Sequence, residues 1–144
     1  MMTIHKSGNA HWEGDIKRGK GTVSTQSGVL NEQPYGFNTR FEGAAGTNPE
    51  ELIAAAHAAC FSMALSLMLG EAGHTAQSID TKAVVSLDKA DGGFAITQVA
   101  LHSTVAVPGI EKSTFDDIIQ KAKAGCPVSK LLKAEITLDY ELKS

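Results

Sequence analysis

Cysteine is scarce in this sequence: of 144 residues only two, Cys60 and Cys126, carry a thiol. Two thiols so far apart exclude the disulfide-rich scaffold of small secreted domains. With no Cys or His pair beside either one, they also exclude the usual structural zinc pattern. Charge of one sign is lacking too. With 13 basic residues against 16 acidic ones and a net charge of -3, neither nucleic acid nor an anionic membrane is expected as a partner. The opening MMTIHKSGNAHWEG holds no apolar run of the signal-peptide kind, so the cytoplasm is the expected compartment. No P-loop pattern accompanies the cluster Lys17, Arg18 and Lys20, which reads as a solvated turn. There is no internal repeat and no low-complexity tract, and the length suits one domain over residues 1–144 with its own core. In a reducing cytosol a lone, separated pair of thiols points either to inert side chains or to redox chemistry.

What the chain does have is one long apolar stretch, NPEELIAAAHAACFSMALSLMLGEAG, over residues 48–73. Asn48 is a suitable N-cap, Pro49 fits the first helical position, and Glu51 stands where a capping box needs it. From Leu52 to Leu69 no residue is charged, and apolar side chains fall on every face. The spacing therefore predicts a helix buried all round, with Gly70 and Gly73 as its stop. Continuous helix over 49–69 would be about 32 Å long, which touches the transmembrane range. His57, Ser62 and Ser66 inside it, acidic residues at both ends and the absence of an aromatic belt or basic flank favour a central core helix instead.

Glycines break residues 3–41 into short strand-like pieces at 10–12, 22–25 and 37–41, which read as a small antiparallel meander. Phe37 and Phe41 flank Thr39 at period two, and this places Arg40 on the opposite face of a strand just before the helix. Beyond the helix, Ala83, Val85 and Leu87 alternate with polar neighbours, and Asp91-Gly92-Gly93 makes a hairpin turn into Phe94 and Ile96. The apolar phase then slips by one, so a bulge is expected near Thr97 or Gln98. Ser113 with Asp116 is the expected cap of an amphipathic helix through Phe115, Ile118, Ile119 and Ala122, which Gly125 closes. Cys126-Pro127, a short helical piece to Lys133 and a strand carrying Ile136, Leu138, Tyr140 and Leu142 follow. Strands, long helix, two strands, helix and strand make an α+β domain.

Cys60 lies well inside the apolar helix, where free cysteine is most often an inert core residue. An ordinary thiol titrates near 8.5 and is only a few per cent ionised at neutral pH, and apolar burial reduces that further. The helix N-terminus is too distant to help, since its field fades within a turn. A reactive Cys60 therefore needs a separate cation, and Arg40 is the candidate. A drop of two pKa units takes roughly 2.7 kcal/mol, within reach of one charge-assisted contact. Cys126, between a helix-closing glycine and a helix-opening proline, is able to face the positive end of a helix. His57, three residues before Cys60, reads as a hydrogen-bonded core histidine and less well as the base of the thiol. Two other classes stay open on this reading. The helix could line a pocket for a fatty-acid-like ligand, or the two cysteines could form a static crosslink.

The runs TNPEELIAAAHAACFSMAL and AGCPVSKLLKAEITLDY, with HWEGDIKRGKGTVSTQSGVLN ahead of them, resemble the OsmC/Ohr family of thiol peroxidases from end to end. The resemblance implies an intertwined α+β homodimer with a long buried central helix among antiparallel strands and active sites at the subunit interface. It implies Cys60 as the peroxidatic nucleophile, Cys126 as the resolving thiol, and Arg40 with Glu50 as the pair that orders the thiolate. In the Ohr branch the arginine comes from an earlier stretch, where this chain has Arg18 and Lys20. The implied substrates are organic hydroperoxides and, more weakly, hydrogen peroxide, reduced in oxidative and osmotic stress defence. The reductant would be an external dithiol of the lipoyl type, with no metal, haem or flavin.

Overall fold

The computed structural model describes residues 2–143 as two compact units, one up to Pro49 and one from Glu50 onward. The first contains three strands, β1 (Gly8–Glu13), β2 (Lys20–Thr25) and β3 (Gln33–Tyr35), in the antiparallel order β1-β2-β3, and a short helix α1 (Phe37–Phe41). The expected meander is present. One tight point is Gly21, which pairs with Trp12 on one side and Tyr35 on the other. A Cβ there would stand 2.5 Å from Tyr35 Cε1 and 2.7 Å from Trp12 Cε3, so only glycine lets these rings meet, at a centroid separation of 5.7 Å.

The third strand is not where periodicity predicts it. Residues 37–41 form helix α1, so Arg40 sits on a helical turn and not on a strand. Phe37 and Phe41 are an i, i+4 pair whose rings pack at a tilt with centroids 4.9 Å apart. The Gly36 amide donates to Thr39 Oγ1 at 2.8 Å, and that hydroxyl donates back to the Gly36 carbonyl at 3.0 Å. The strand role falls to β3, which contains Pro34. It lies on the sheet edge, where a missing N–H is tolerated.

The second unit is built on helix α2 (Pro49–Glu71), with strands β4 (Ser78–Ala90), β5 (Gly93–Ala106) and β6 (Glu135–Lys143) and helices α3 (Lys112–Gly125) and α4 (Pro127–Leu131). The long helix stays helical through Gly70. It ends at Gly73, whose φ of 85° is left-handed and allows the His74 amide to reach back to the Leu69 carbonyl at 2.8 Å. Burial all round is not met within one chain. Only the stripe His57, Phe61, Leu65 and Leu69 is buried, because a single sheet and α3 cover only one side. Met63 is 74% exposed and Leu67 63%.

The β4–β5 hairpin turns at Asp91-Gly92 as expected, both with positive φ. Ser86 pairs with Gln98 and Leu87 with Ile96, which leaves Thr97 as the bulged residue. The strands are not all antiparallel, because β6 runs parallel to β5, with Val99 opposite Ile136 and Leu101 opposite Leu138. Two parallel neighbours need a crossover, and α3 and α4 supply it. Helix α3 buries Phe115, Ile118, Ile119 and Ala122, as its periodicity predicts. Its N-cap is Glu111 and not Ser113, which lies inside the first turn. The Asp116 carboxylate is taken instead by Lys112 Nζ and the Tyr140 hydroxyl. The short helical piece α4 stops at Leu131, two residues before Lys133.

Phe61, Leu65 and Leu69 pack with Val99, Leu101 and Val105 of the sheet and with the buried face of α3 in one cluster that contains Cys126. Leu65→Ala, at a fully buried position, is expected to lower unfolding free energy by about 2–4 kcal/mol. Urea denaturation followed by circular dichroism measures this.

Candidate active site

Cys60 follows the buried stripe of α2 at one remove. Its neighbour Phe61 is wholly inside, and Cys60 is half-buried and packed against the core. The chain reaches the same place a second time at the junction of α3 and α4. There Cys126 is both the C-cap of α3 and the N-cap of α4, in an extended conformation at φ -65°, ψ 136°. Pro127 opens α4 without needing an N–H partner. Cys126 is fully buried, and its Sγ accepts from the Ser129 amide at 3.4 Å, as expected for a thiol set at the start of a helix.

Cys60 packs against the buried cluster that contains Cys126, near enough for the Cys126 thiol and the Val128 backbone amide each to act on its acidity. Three effects set the acidity of Cys60, and the largest is burial, which pushes its pKa up. The Val128 N–H pulls the other way, and the Cys126 thiol raises it again. Both cysteines are free thiols. The balance favours a protonated Cys60 unless a positive charge is supplied to it.

His57, one turn before Cys60, is a buried and hydrogen-bonded histidine. Its Nε2 lies 2.8 Å from Ser129 Oγ, and burial pushes its pKa down. Ser129 Oγ in turn lies 3.3 Å from Cys126 Sγ. Sequence reasoning missed Ser129, although its place three residues after a cysteine that N-caps a helix is the position whose amide and side chain face the cap.

Glu50 and Glu51 form the acidic first turn of α2. Glu50 precedes Cys60 by ten residues, which sets their Cα atoms about 15 Å apart along the axis and about 80° apart around it. Arg40 belongs to the first unit, where its guanidinium lies 5.5 Å from the centre of the Phe41 ring. It lines a hollow of about 320 Å³ with Trp12, Ile16, Tyr35, Phe37 and Phe41. Arg18, the alternative cation, is held at the surface by Asp15 at 3.3 Å. Among the described residues no group of three or more His, Cys, Asp or Glu side chains is arranged to hold a metal ion.

The chain is similar to known proteins both in sequence and in fold. Residues 41–141 match the family model described as OsmC-like protein. The chain is 83% identical over 143 residues to Peroxiredoxin OsmC of Escherichia coli (strain K12), covering 99% of this chain and 100% of that one. It is 31% identical over 124 residues to the organic hydroperoxide resistance protein OhrB of Bacillus subtilis (strain 168), covering 85% and 89%. The fold superposes on the crystal structure of an organic hydroperoxide resistance protein from Elizabethkingia anophelis with a TM-score of 0.74 at 29% identity, covering 100% and 99% of the two chains. The match of the family model across both cysteines, together with near end-to-end identity to one of its members, places this chain in the OsmC family.

Proposed function

We propose that this chain is a cysteine-based peroxidase that reduces organic hydroperoxides to alcohols, and hydrogen peroxide more weakly to water. The observation that carries the reading is that Cys60 packs against the buried cluster containing Cys126, near enough for one thiol to act on the other. In the proposed cycle Cys60 thiolate attacks one peroxide oxygen and the O–O bond breaks. The departing alkoxide takes a proton and leaves as the alcohol, and Cys60 is left as a sulfenic acid. Cys126 then attacks that sulfur. The S–S bond forms, the S–O bond breaks and one water is released. An external dithiol, for which we propose the lipoyl type, reduces the bond by exchange. The setting would be stress defence in the cytoplasm, where thiols are kept reduced. The apolar neighbours of Cys60 suit an alkyl group better than bare hydrogen peroxide. Every step is carried by sulfur, and no metal or organic cofactor is required.

Arg40 is the proposed cation that orders the Cys60 thiolate, because burial holds that thiol up and one positive charge offsets it. Glu50 is the proposed partner of the arginine. Since Glu50 and Cys60 of one chain lie on different faces of α2, we assign the steering role to Glu50 of a second copy in a homodimer. The uncovered face of α2 supports this. Ala56, Ala59, Met63 and Leu67 are exposed along it, and no charge interrupts the helix from Leu52 to Leu69.

One equivalent of cumene hydroperoxide added to reduced protein is expected to remove two thiols and produce a Cys60–Cys126 disulfide. Peptide mass mapping that found only intermolecular bonds, or unchanged thiols, would sink the scheme. Arg40→Ala is expected to slow attack at pH 7 by about ten- to a hundredfold, as one to two pKa units imply. The deficit should shrink as pH rises, since the ionised fraction of a thiol with a raised pKa grows with pH. If Arg18→Ala behaves this way and Arg40→Ala does not, the cation is Arg18. Mixing inactive Cys60→Ser with inactive Glu50→Ala protein under conditions that exchange subunits is expected to restore up to about one site per mixed dimer. Proven exchange with no recovery would put Glu50 and Cys60 of each site in the same subunit.

A further inference from the structure

The peroxidase cycle leaves His57 without a task, although it is wholly buried and tied by Ser129 to the thiol that must close the disulfide. We propose that Ser129 and His57 form a proton relay that takes the thiol proton of Cys126 as it attacks the oxidised Cys60. The inference rests on the reading of Cys126 as the resolving thiol.

The geometry is a continuous hydrogen-bonded chain. Cys126 Sγ is 3.3 Å from Ser129 Oγ, which is 2.8 Å from His57 Nε2. A hydroxyl has one proton to donate and can accept another. When Ser129 donates to a neutral His57, its oxygen is open to the Cys126 S–H. Shift both protons one place and Nε2–H donates to Ser129, whose hydroxyl then donates to a Cys126 thiolate. The Ser129 amide, 3.4 Å from the same sulfur, favours that thiolate as well. The chain is thus complete at both ends of the transfer. A histidine placed only to tie α4 to α2 would be served equally by any hydrogen-bonding side chain. His57 is instead enclosed with its Nδ1 unpartnered, an arrangement a purely structural role does not call for.

The proton is accounted for at each stage. Cys126 sulfur gives up its proton through Ser129 to His57 and forms the S–S bond. The S–O bond of Cys60 breaks and the leaving hydroxide takes up the proton that the imidazolium gives back, so one water is the net product and His57 is neutral again. Cys60 sulfur is reduced and Cys126 sulfur is oxidised in that step. Titratable groups near His57 include Cys126, reached through Ser129 from the α3–α4 junction, and Cys60 one turn along its own helix. Burial is the single cause of its lowered pKa, which favours the neutral imidazole, and the relay uses the tautomer whose Nε2 accepts from Ser129.

The test separates the two steps of one turnover. Reduced protein is mixed with one equivalent of cumene hydroperoxide, quenched at intervals, and assayed by mass for sulfenic acid trapped with dimedone and for the Cys60–Cys126 disulfide, from pH 5.5 to 9. In Ser129→Ala and in His57→Gln, which keeps a hydrogen-bonding group but cannot hold the proton, disulfide closure is expected to slow about tenfold or more at pH 7. Its pH midpoint should move up, and trapped sulfenic acid should accumulate. Ser129→Thr, which keeps the hydroxyl, should close at close to the wild-type rate. Wild-type closure rates and pH midpoints in both defective variants overturn the relay, as does a loss that is independent of pH or equal in the attack and closure steps. If the wild-type protein itself forms no Cys60–Cys126 disulfide, the resolving role of Cys126 fails first, and the two failures are told apart.

Discussion

The nearness of Cys60 to Cys126 is the constraint on which the rest of the arrangement depends. One thiol belongs to the middle of a long helix and the other to a helix junction far along the chain. They come together because the second unit buries one stripe of α2 against the same core that holds α3. Phe61 and Leu65 fix the rotation of α2, and with it the direction of Cys60. The parallel pairing of β6 with β5 requires a crossover, and the sharp turn between α3 and α4 within that crossover is where Cys126 sits. A change in either constraint would separate the sulfurs.

The same packing that joins the thiols works against their reactivity. Burial raises the pKa of Cys60, and the Val128 N–H offsets only part of that. A dry pocket strengthens any charge placed in it, so one arginine supplied to such a thiol does more than it would at a surface. An apolar setting suppresses the Cys60 thiolate at rest, and the cation proposed above is what would restore it. The aromatic hollow around Arg40 offers an apolar lining beside a cation, the combination that suits an apolar molecule with a polar head.

Much of this could be read from the amino-acid order. The α2 segment, the Asp91-Gly92 hairpin, the Thr97 bulge and the buried face of α3 all follow from local periodicity and turn chemistry, and the structure has each of them. The failures are equally physical. Residues 37–41 satisfy period two and period four at once, and the Gly36–Thr39 hydrogen bonds decide for the helix. Pro34 hides an edge strand. The direction of β6 is a property of the crossover and leaves no mark on the alternation of Ile136, Leu138, Tyr140 and Leu142. The faces of α2 look alike in sequence because no charge marks the side that one chain leaves open. At the site, family resemblance is what singles out the two cysteines together, whereas the Ser129 link between His57 and Cys126 depends on a long-range packing that no spacing reveals.

The account stands on Cys60 as the sulfur that meets the peroxide. The most direct measurement is the single-turnover consumption of cumene hydroperoxide, and in parallel of hydrogen peroxide, by fully reduced wild-type and Cys60→Ser protein. The account predicts that the wild type consumes cumene hydroperoxide faster than hydrogen peroxide and that Cys60→Ser consumes neither above the rate in buffer. Consumption by Cys60→Ser at the wild-type rate would contradict it.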